Sequence, residues 1–326
     1  MKLLLAPFLL AGVAWAAAAF WFDGPSSRAL AGALAAGFAL ANVALLVAVR
    51  PAWRAALLVA AGVAVVAVWW LRIPPSNDRD WLPDVARPAE AHFEGSHVTI
   101  RNVRNFAYRS ETDFDERWAN RTYDLDRLKG IDLFFSFWGP TLIAHTIVSW
   151  EFEDAPPLAI SIETRKEKGE EYSAVRGFFR QFELYYVVAD ERDVVGVRTN
   201  QRGEHVFLYR VRMPLAAARA VLVDYLEEID RLAHQPRWYN AFTQNCTTTI
   251  RMHLKNVGLA RALDWRLLAN GRLDELMYQR GTIDTNLPLP ELRRRSEITE
   301  QAKAAGTAAD FSRRIREGLP GFSPGR

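Results

Sequence analysis

Three apolar stretches open the chain and decide where the rest of it can fold. Leu3–Phe22, Ala29–Val49 and Ala55–Leu71 are each close to the ~20 residues that cross a hydrocarbon layer as a helix. They are too long and too uniform for ordinary core helices. The first stretch has a second reading: MKLLLAPFLLAGVAWAAAAF carries a lysine, an apolar run and small residues, the layout of a signal peptide. Two further stretches joined by short loops favour an intact helix. Arg50 and Arg54 flank the second loop, which places that loop in the cytoplasm and sends the third helix outward. Arg72, Arg79 and Arg87 pull the other way and are partly offset by Asp78, Asp80 and Asp84. The expectation is a multi-pass protein of a bacterial inner membrane with its C-terminal domain in the periplasm.

Most of the charge lies beyond these helices. With 41 Lys and Arg against 38 Asp and Glu, the net +3 is too small to argue for nucleic acid. No basic stripe with interleaved aromatics, Gly-rich phosphate loop or internal repeat is present either. No ligand cluster has zinc spacing, so neither a metal nor another cofactor is expected. The one cysteine excludes an internal disulfide.

The chain divides into membrane helices (1–72), a Pro- and Asp-rich linker (73–91), a folded domain (92–290) and a charged helical tail (291–326) ending in a frayed GLPGFSPGR. In the domain, β-branched and aromatic runs broken by Gly, Pro and Asp predict strands at 97–103, 132–138, 142–152, 158–164, 182–189, 194–199 and 204–213. After Pro214 the period turns helical, with Ala218, Leu222, Tyr225, Leu226, Ile229 and Leu232 on one face of 215–235. A second helix is predicted over 247–259. The fold class is α+β, with a central antiparallel sheet, helices at its C-terminal end and a Cys-bearing helix.

That helix carries the chemistry. In YNAFTQNCTTT the lone Cys246 sits at a helix entrance, where unpaired N–H groups and the helix dipole favour a thiolate. Asn245 can cap the helix or donate to a developing oxyanion. His253 is two turns further on, about 10 Å along the axis and out of reach. His234 falls at a helix C-terminus, where a cation is favoured anyway. His145 stands inside an apolar strand, where a polar ring needs a partner. On the next strand, alternation places Ser161 and Glu163 on one face. Cys246, His145 and Glu163 thus form a candidate nucleophile, base and orienting acid, with Ser161 beside them. The rival reading is a packing cysteine, a structural histidine and a Glu163 that is either a solvated sheet residue or part of an ion pair with Arg165. In the charged run 163–173, Arg165 is either solvated or a site for a phosphate or carboxylate head group.

The runs GPTLIAHTIVSWEFED, LAISIETRKEKGEEYS, GFFRQFELYYVVADERDVVGVRTN and RWYNAFTQNCTTTIR resemble successive motifs of the Lnb N-terminal periplasmic domain family. The resemblance spans roughly 97–260. It implies a circularly permuted papain-like or NlpC/P60-like fold, in which the histidine strand precedes the cysteine helix, with Cys246 as nucleophile and His145 as base. It also implies membrane lipid and lipoprotein substrates, since Lnb proteins are lipoprotein N-acyltransferases. In this chain the apolar helices precede the matching region, a departure from that pattern. Two further functions stay open: a peptidoglycan amidase, which needs an open polar groove on a cell-wall substrate, and a membrane-tethered binding module in which Cys246 only packs.

Overall fold

The computed structural model describes residues 2–139, 141–267 and 269–322. It separates into two compact units, taken in turn below.

The first unit joins the N-terminal residues through Ser76 to 171–183 and 238–241. Its helices α1 (Lys2–Asp23), α2 (Arg28–Ala48) and α3 (Ala52–Leu71) are each long and apolar enough to cross a membrane. Small residues let them approach closely: Gly12 faces Val63, and Ala16 and Ala19 are fully buried. At one end of the bundle, the Asp23 carboxylate accepts from Trp70 Nε1 and from Gln181 Nε2, each at 2.7 Å. Arg180 lies 4.4 Å over the Trp70 ring and Phe179 stacks on Phe22, so 171–183 is fastened to the helix ends.

The second unit is a sheet with helices on both faces. Its strands are β1 (Glu90–Glu94), β2 (His97–Arg104), β3 (Ala107–Tyr108), β4 (Phe114–Asp115), β5 (Trp118–Asp124), β6 (Leu128–Phe137), β7 (His145–Phe152), β8 (Leu158–Arg165), β9 (Glu183–Asp190) and β10 (His205–Val211). Its helices are α4 (Glu191–Val194), α5 (Leu215–His234), α6 (Cys246–Asn256), α7 (Leu273–Gln279), α8 (Leu289–Ser296), α9 (Thr299–Ala305) and α10 (Phe311–Arg314). The main sheet runs β1-β2-β9-β8-β7-β6-β10, with β5 on β2 and β3 paired to β4 apart from it. It is mixed rather than antiparallel throughout, because β2 meets β9 in parallel at Arg104 and Ala189.

Alternation in the central strands decides what lies on each face. Ile147 is packed in a core with Val194, Val195, Ile298, Ala302 and Phe311. Trp150, of opposite parity, donates to Ala218 O and stands edge-on to Tyr225, both on α5. The buried face of α5 is the one its periodicity predicted.

Four expectations change. The run 194–199 is helical: Asp190 caps α4 by accepting from Arg192 N, and a π-helical turn (Val197–Gln201) follows. Its β-branched residues reflect burial on all sides, not strand geometry. The strand carrying the base begins at His145 rather than Leu142. Residues 77–91 are no loose linker, since Trp81, Val85 and Ala89 are buried. The tail from 291 is part of the core through Leu292, Ile298, Phe311 and Ile315, and Leu319 is only 4% exposed. Residues 323–326 of the expected frayed end lie outside the described residues.

Candidate active site

The β6–β7–β8 registers assemble the first part of the site. Ser136 pairs with His145 across β6 and β7, and Ile147 pairs with Ser161 across β7 and β8. Continuing that second register two residues outward brings Glu163 opposite His145. The side chains follow: His145 Nε2 lies 2.6 Å from Ser161 Oγ, which itself donates to Glu163 Oε1 at 2.7 Å. Glu163 Oε1 is 3.7 Å from the ring nitrogen.

The direction of this chain follows from the inventory of protons. The Ser161 hydroxyl has one hydrogen and gives it to Glu163, so its oxygen accepts from His145. The imidazole therefore carries its proton on Nε2 and presents a lone pair at Nδ1, the form a general base requires.

Glu163 is held from behind by a residue that sequence reasoning missed. Arg198, in the π-helical turn, donates through Nη2 to Glu163 at 2.9 Å and through Nη1 to Glu204 at 3.1 Å. Ser136 completes the line by donating to Glu204. Burial alone would raise the Glu163 carboxyl, but Arg198, His145 and Arg202 outweigh it and keep the group well below the usual carboxylate range. Burial, with Arg198 nearby, pushes His145 down to about 3 against the pull of Glu163, so the ring is neutral at physiological pH.

Cys246 is the first residue of α6, and Asn245 is its N-cap, accepting from Thr248 N at 2.9 Å. Among the described residues the sulfur lies 3.8 Å from each of Thr247 Oγ1 and Asn270 Nδ2. No hydrogen bond joins it to His145 among the described residues. The helix lies on the Tyr186 and Tyr225 side of the sheet, while His145 shares the parity of Ile147 at the strand's end. The two meet through Asn270 instead. Its amide accepts from Ala144 N at 2.9 Å and donates to Ala144 O at 2.6 Å and Thr247 Oγ1 at 2.7 Å. An Asn-Gly pair reads in sequence as a turn, which is why this residue gave no signal.

Arg165, expected either solvated or at a head-group site, lies inside the fold. It is 1% exposed, donating to Val85 O, Ala86 O and Asn77 Oδ1, and its guanidinium is 4.2 Å over the Trp81 ring. Burial between strand and preceding segment, invisible in a charge run, makes it a structural arginine. Glu163 pairs with Arg198 rather than with Arg165. His253 is fully buried between Asp224 and Tyr186, at 2.6 and 2.7 Å, and burial lowers it to about 4. His234 ends α5, and the Asp230 carbonyl raises its pKa.

A cavity of about 610 Å³ opens beside Asn270. Phe135, Phe137, Phe207, Tyr209 and Leu142 give it a largely apolar lining, with Arg202 among its polar groups. Among the described residues, no group of three or more His, Cys, Asp or Glu converges where a metal ion fits.

Three helices long and apolar enough to cross a membrane, followed by an α+β unit that sets a thiol at a helix entrance, fit the class of membrane-anchored proteins. Residues 114–271 match the family model of the Lnb N-terminal periplasmic domain, an interval that holds His145, Ser161, Glu163, Asn245, Cys246 and Asn270. That segment, a little under half of the chain, is similar to the Lnb N-terminal periplasmic domain, a likeness that together with the three apolar helices points to a membrane-associated periplasmic protein. No curated protein and no solved structure matches the chain.

Proposed function

We propose that the protein is a thiol-dependent acyltransferase or hydrolase of the cell envelope, working through an acyl group carried on Cys246. The observation that carries this reading is the Glu163–Ser161–His145 line, which leaves a neutral imidazole with Nδ1 as its acceptor. Cys246 Sγ attacks the carbonyl of an ester or amide, forming the S–C bond while the thiol proton passes to Nδ1. Collapse breaks the bond to the leaving alkoxide or amine, which takes that proton. An amine or water then attacks the thioester, with His145 again accepting a proton, and the thiol is restored. Because the resting imidazole is neutral, it acts as the base during attack rather than as half of a standing thiolate–imidazolium pair. Since no hydrogen bond joins sulfur and ring among the described residues and the two belong to opposite sides of the sheet, the reading requires the end of β7 and the start of α6 to bring them together when substrate binds.

The cavity beside Asn270 is apolar along Phe135, Phe137, Phe207 and Leu142 and charged at Arg202, Arg272, Asp274, Glu275 and Arg293, and its apolar side favours an acyl chain over a peptidoglycan strand, for which an open polar groove is expected. Membrane lipid is the donor this implies, with a lipoprotein or a cell-wall amine as acceptor. The order of base strand, acid strand and nucleophile helix along the chain supports a permuted papain-like or NlpC/P60-like arrangement. Three spans with Arg50 and Arg54 in a cytoplasmic loop would set the domain in the periplasm. Alkaline phosphatase fused after Arg326 should be active; an inactive fusion reverses the orientation.

The chemical test uses the full chain in detergent micelles with p-nitrophenyl octanoate. An octanoyl adduct should form on Cys246, be absent in Cys246→Ser, and form about 100-fold more slowly in folded His145→Gln. Equal p-nitrophenolate release by wild type and Cys246→Ser would end the thiol reading.

A further inference from the structure

We infer that Asn270 is a positioning residue that sets the register between nucleophile and base. This rests on the thiol reading above, but the observations behind it are separate. A backbone carbonyl and N–H normally find partners in a sheet ladder, yet those of Ala144, the residue before the base, are both taken by one side-chain amide. Asn270 Nδ2 has two hydrogens, and the distances assign one to Ala144 O and the other to Thr247 Oγ1. One planar group therefore fixes the start of β7 and the first turn of α6 relative to each other. The side chain is 5% exposed and Thr247 is 3% exposed, so water does not compete for these bonds.

The next residue tightens the same joint. Gly271 N donates to Leu142 O at 3.0 Å, and a Cβ at this position would sit 2.0 Å from Thr141 O. The pair Asn270-Gly271 thus seats the 141–144 segment along its backbone, from four residues before the base to the one immediately before it. Cys246 lies 3.8 Å from the same amide nitrogen. Displacing the amide would move sulfur and imidazole independently, and a misplacement of about 1 Å costs on the order of 100-fold in rate.

The test separates position from stability and from the chemistry itself. Full-length wild type, Asn270→Ala and Thr247→Val are compared in detergent at two readouts. Octanoylation of Cys246 by p-nitrophenyl octanoate at pH 7 requires sulfur and base together. Alkylation by iodoacetamide at pH 9.5 requires only an accessible thiol. In protein that elutes folded, Asn270→Ala should lose on the order of 100-fold in the first rate and stay within about threefold in the second. Thr247→Val keeps its shape and the Ala144 half of the joint, and should lose about tenfold in the first rate alone. Unchanged octanoylation in both folded variants, with only a lower thermal midpoint, makes Asn270 purely structural and overturns the inference. Should Asn270→Ala not fold, Thr247→Val decides by the same comparison. A wild type that alkylates but never octanoylates overturns the thiol reading and this inference together, whereas normal wild-type acylation with unaffected variants overturns this inference alone.

Discussion

At the scale of residues, Ser161 governs what His145 can do. Without its hydroxyl, nothing in the Glu163 line holds the ring proton on Nε2. Ser161→Ala should therefore fold, cost about 1 kcal/mol, and lose tenfold or more of the Cys246 octanoylation rate. The buried ring also makes a thermodynamic prediction. Unfolded histidine binds its proton near 6.5, whereas His145 in the fold waits until about 3. Between those values the unfolded chain holds more protons, so stability falls as pH falls through this window. His253, lowered to about 4, adds a second proton of the same sign. In His145→Gln the loss of stability between pH 6.5 and 5 should be smaller by about 2 kcal/mol, read from chemical denaturation at each pH. Equal pH slopes in wild type and variant would show that the ring is already protonated when folded. His145, Ser161 and Glu163 were legible in the sequence because a polar ring in an apolar strand needs partners two residues apart on the neighbouring strand. Arg198 was not, because its segment reads as strand and its partners are 35 residues and 6 residues away.

At the scale of elements, the joints around the site are backbone features with little sequence signature. Gly271→Ala introduces a methyl where Thr141 O already sits, so the 141–142 segment must shift. The expected cost is about 1–3 kcal/mol, seen as a lower thermal midpoint, together with lost octanoylation. A midpoint equal to wild type would mean that the segment yields freely and does not seat the base. Elements with strong periodicity, α5 and strands such as β8 and β10, were read nearly to their ends. The turn at 194–201 was misread, because burial on every side removes the alternation on which a strand assignment depends. Segment 77–91 was misread for the converse reason: isolated anchors such as Trp81 and Val85, spaced among Pro and Asp, carry no period at all.

Over the whole molecule, the described C-terminal residues close an ionic cluster beneath the sheet. Arg316 donates to Asp132 at 2.8 Å and to Glu191 at 2.6 Å, and both carboxylates are 0% exposed. Ser149 also donates to Glu191. Burial raises Asp132 to about 6 even with Arg316 and Arg210 pulling it down. Arg316→Met should therefore cost about 3–5 kcal/mol, because two buried carboxylates lose a shared cation. A denaturation midpoint unchanged from wild type would show that water or Arg210 neutralises the cluster instead.

Arg316 and Asp132 are 184 residues apart in the chain. Arg210, 78 residues from Asp132 and on the neighbouring strand β10, supplies a second cation, so the buried carboxylate is fully compensated only when two segments distant in sequence have both docked against β6.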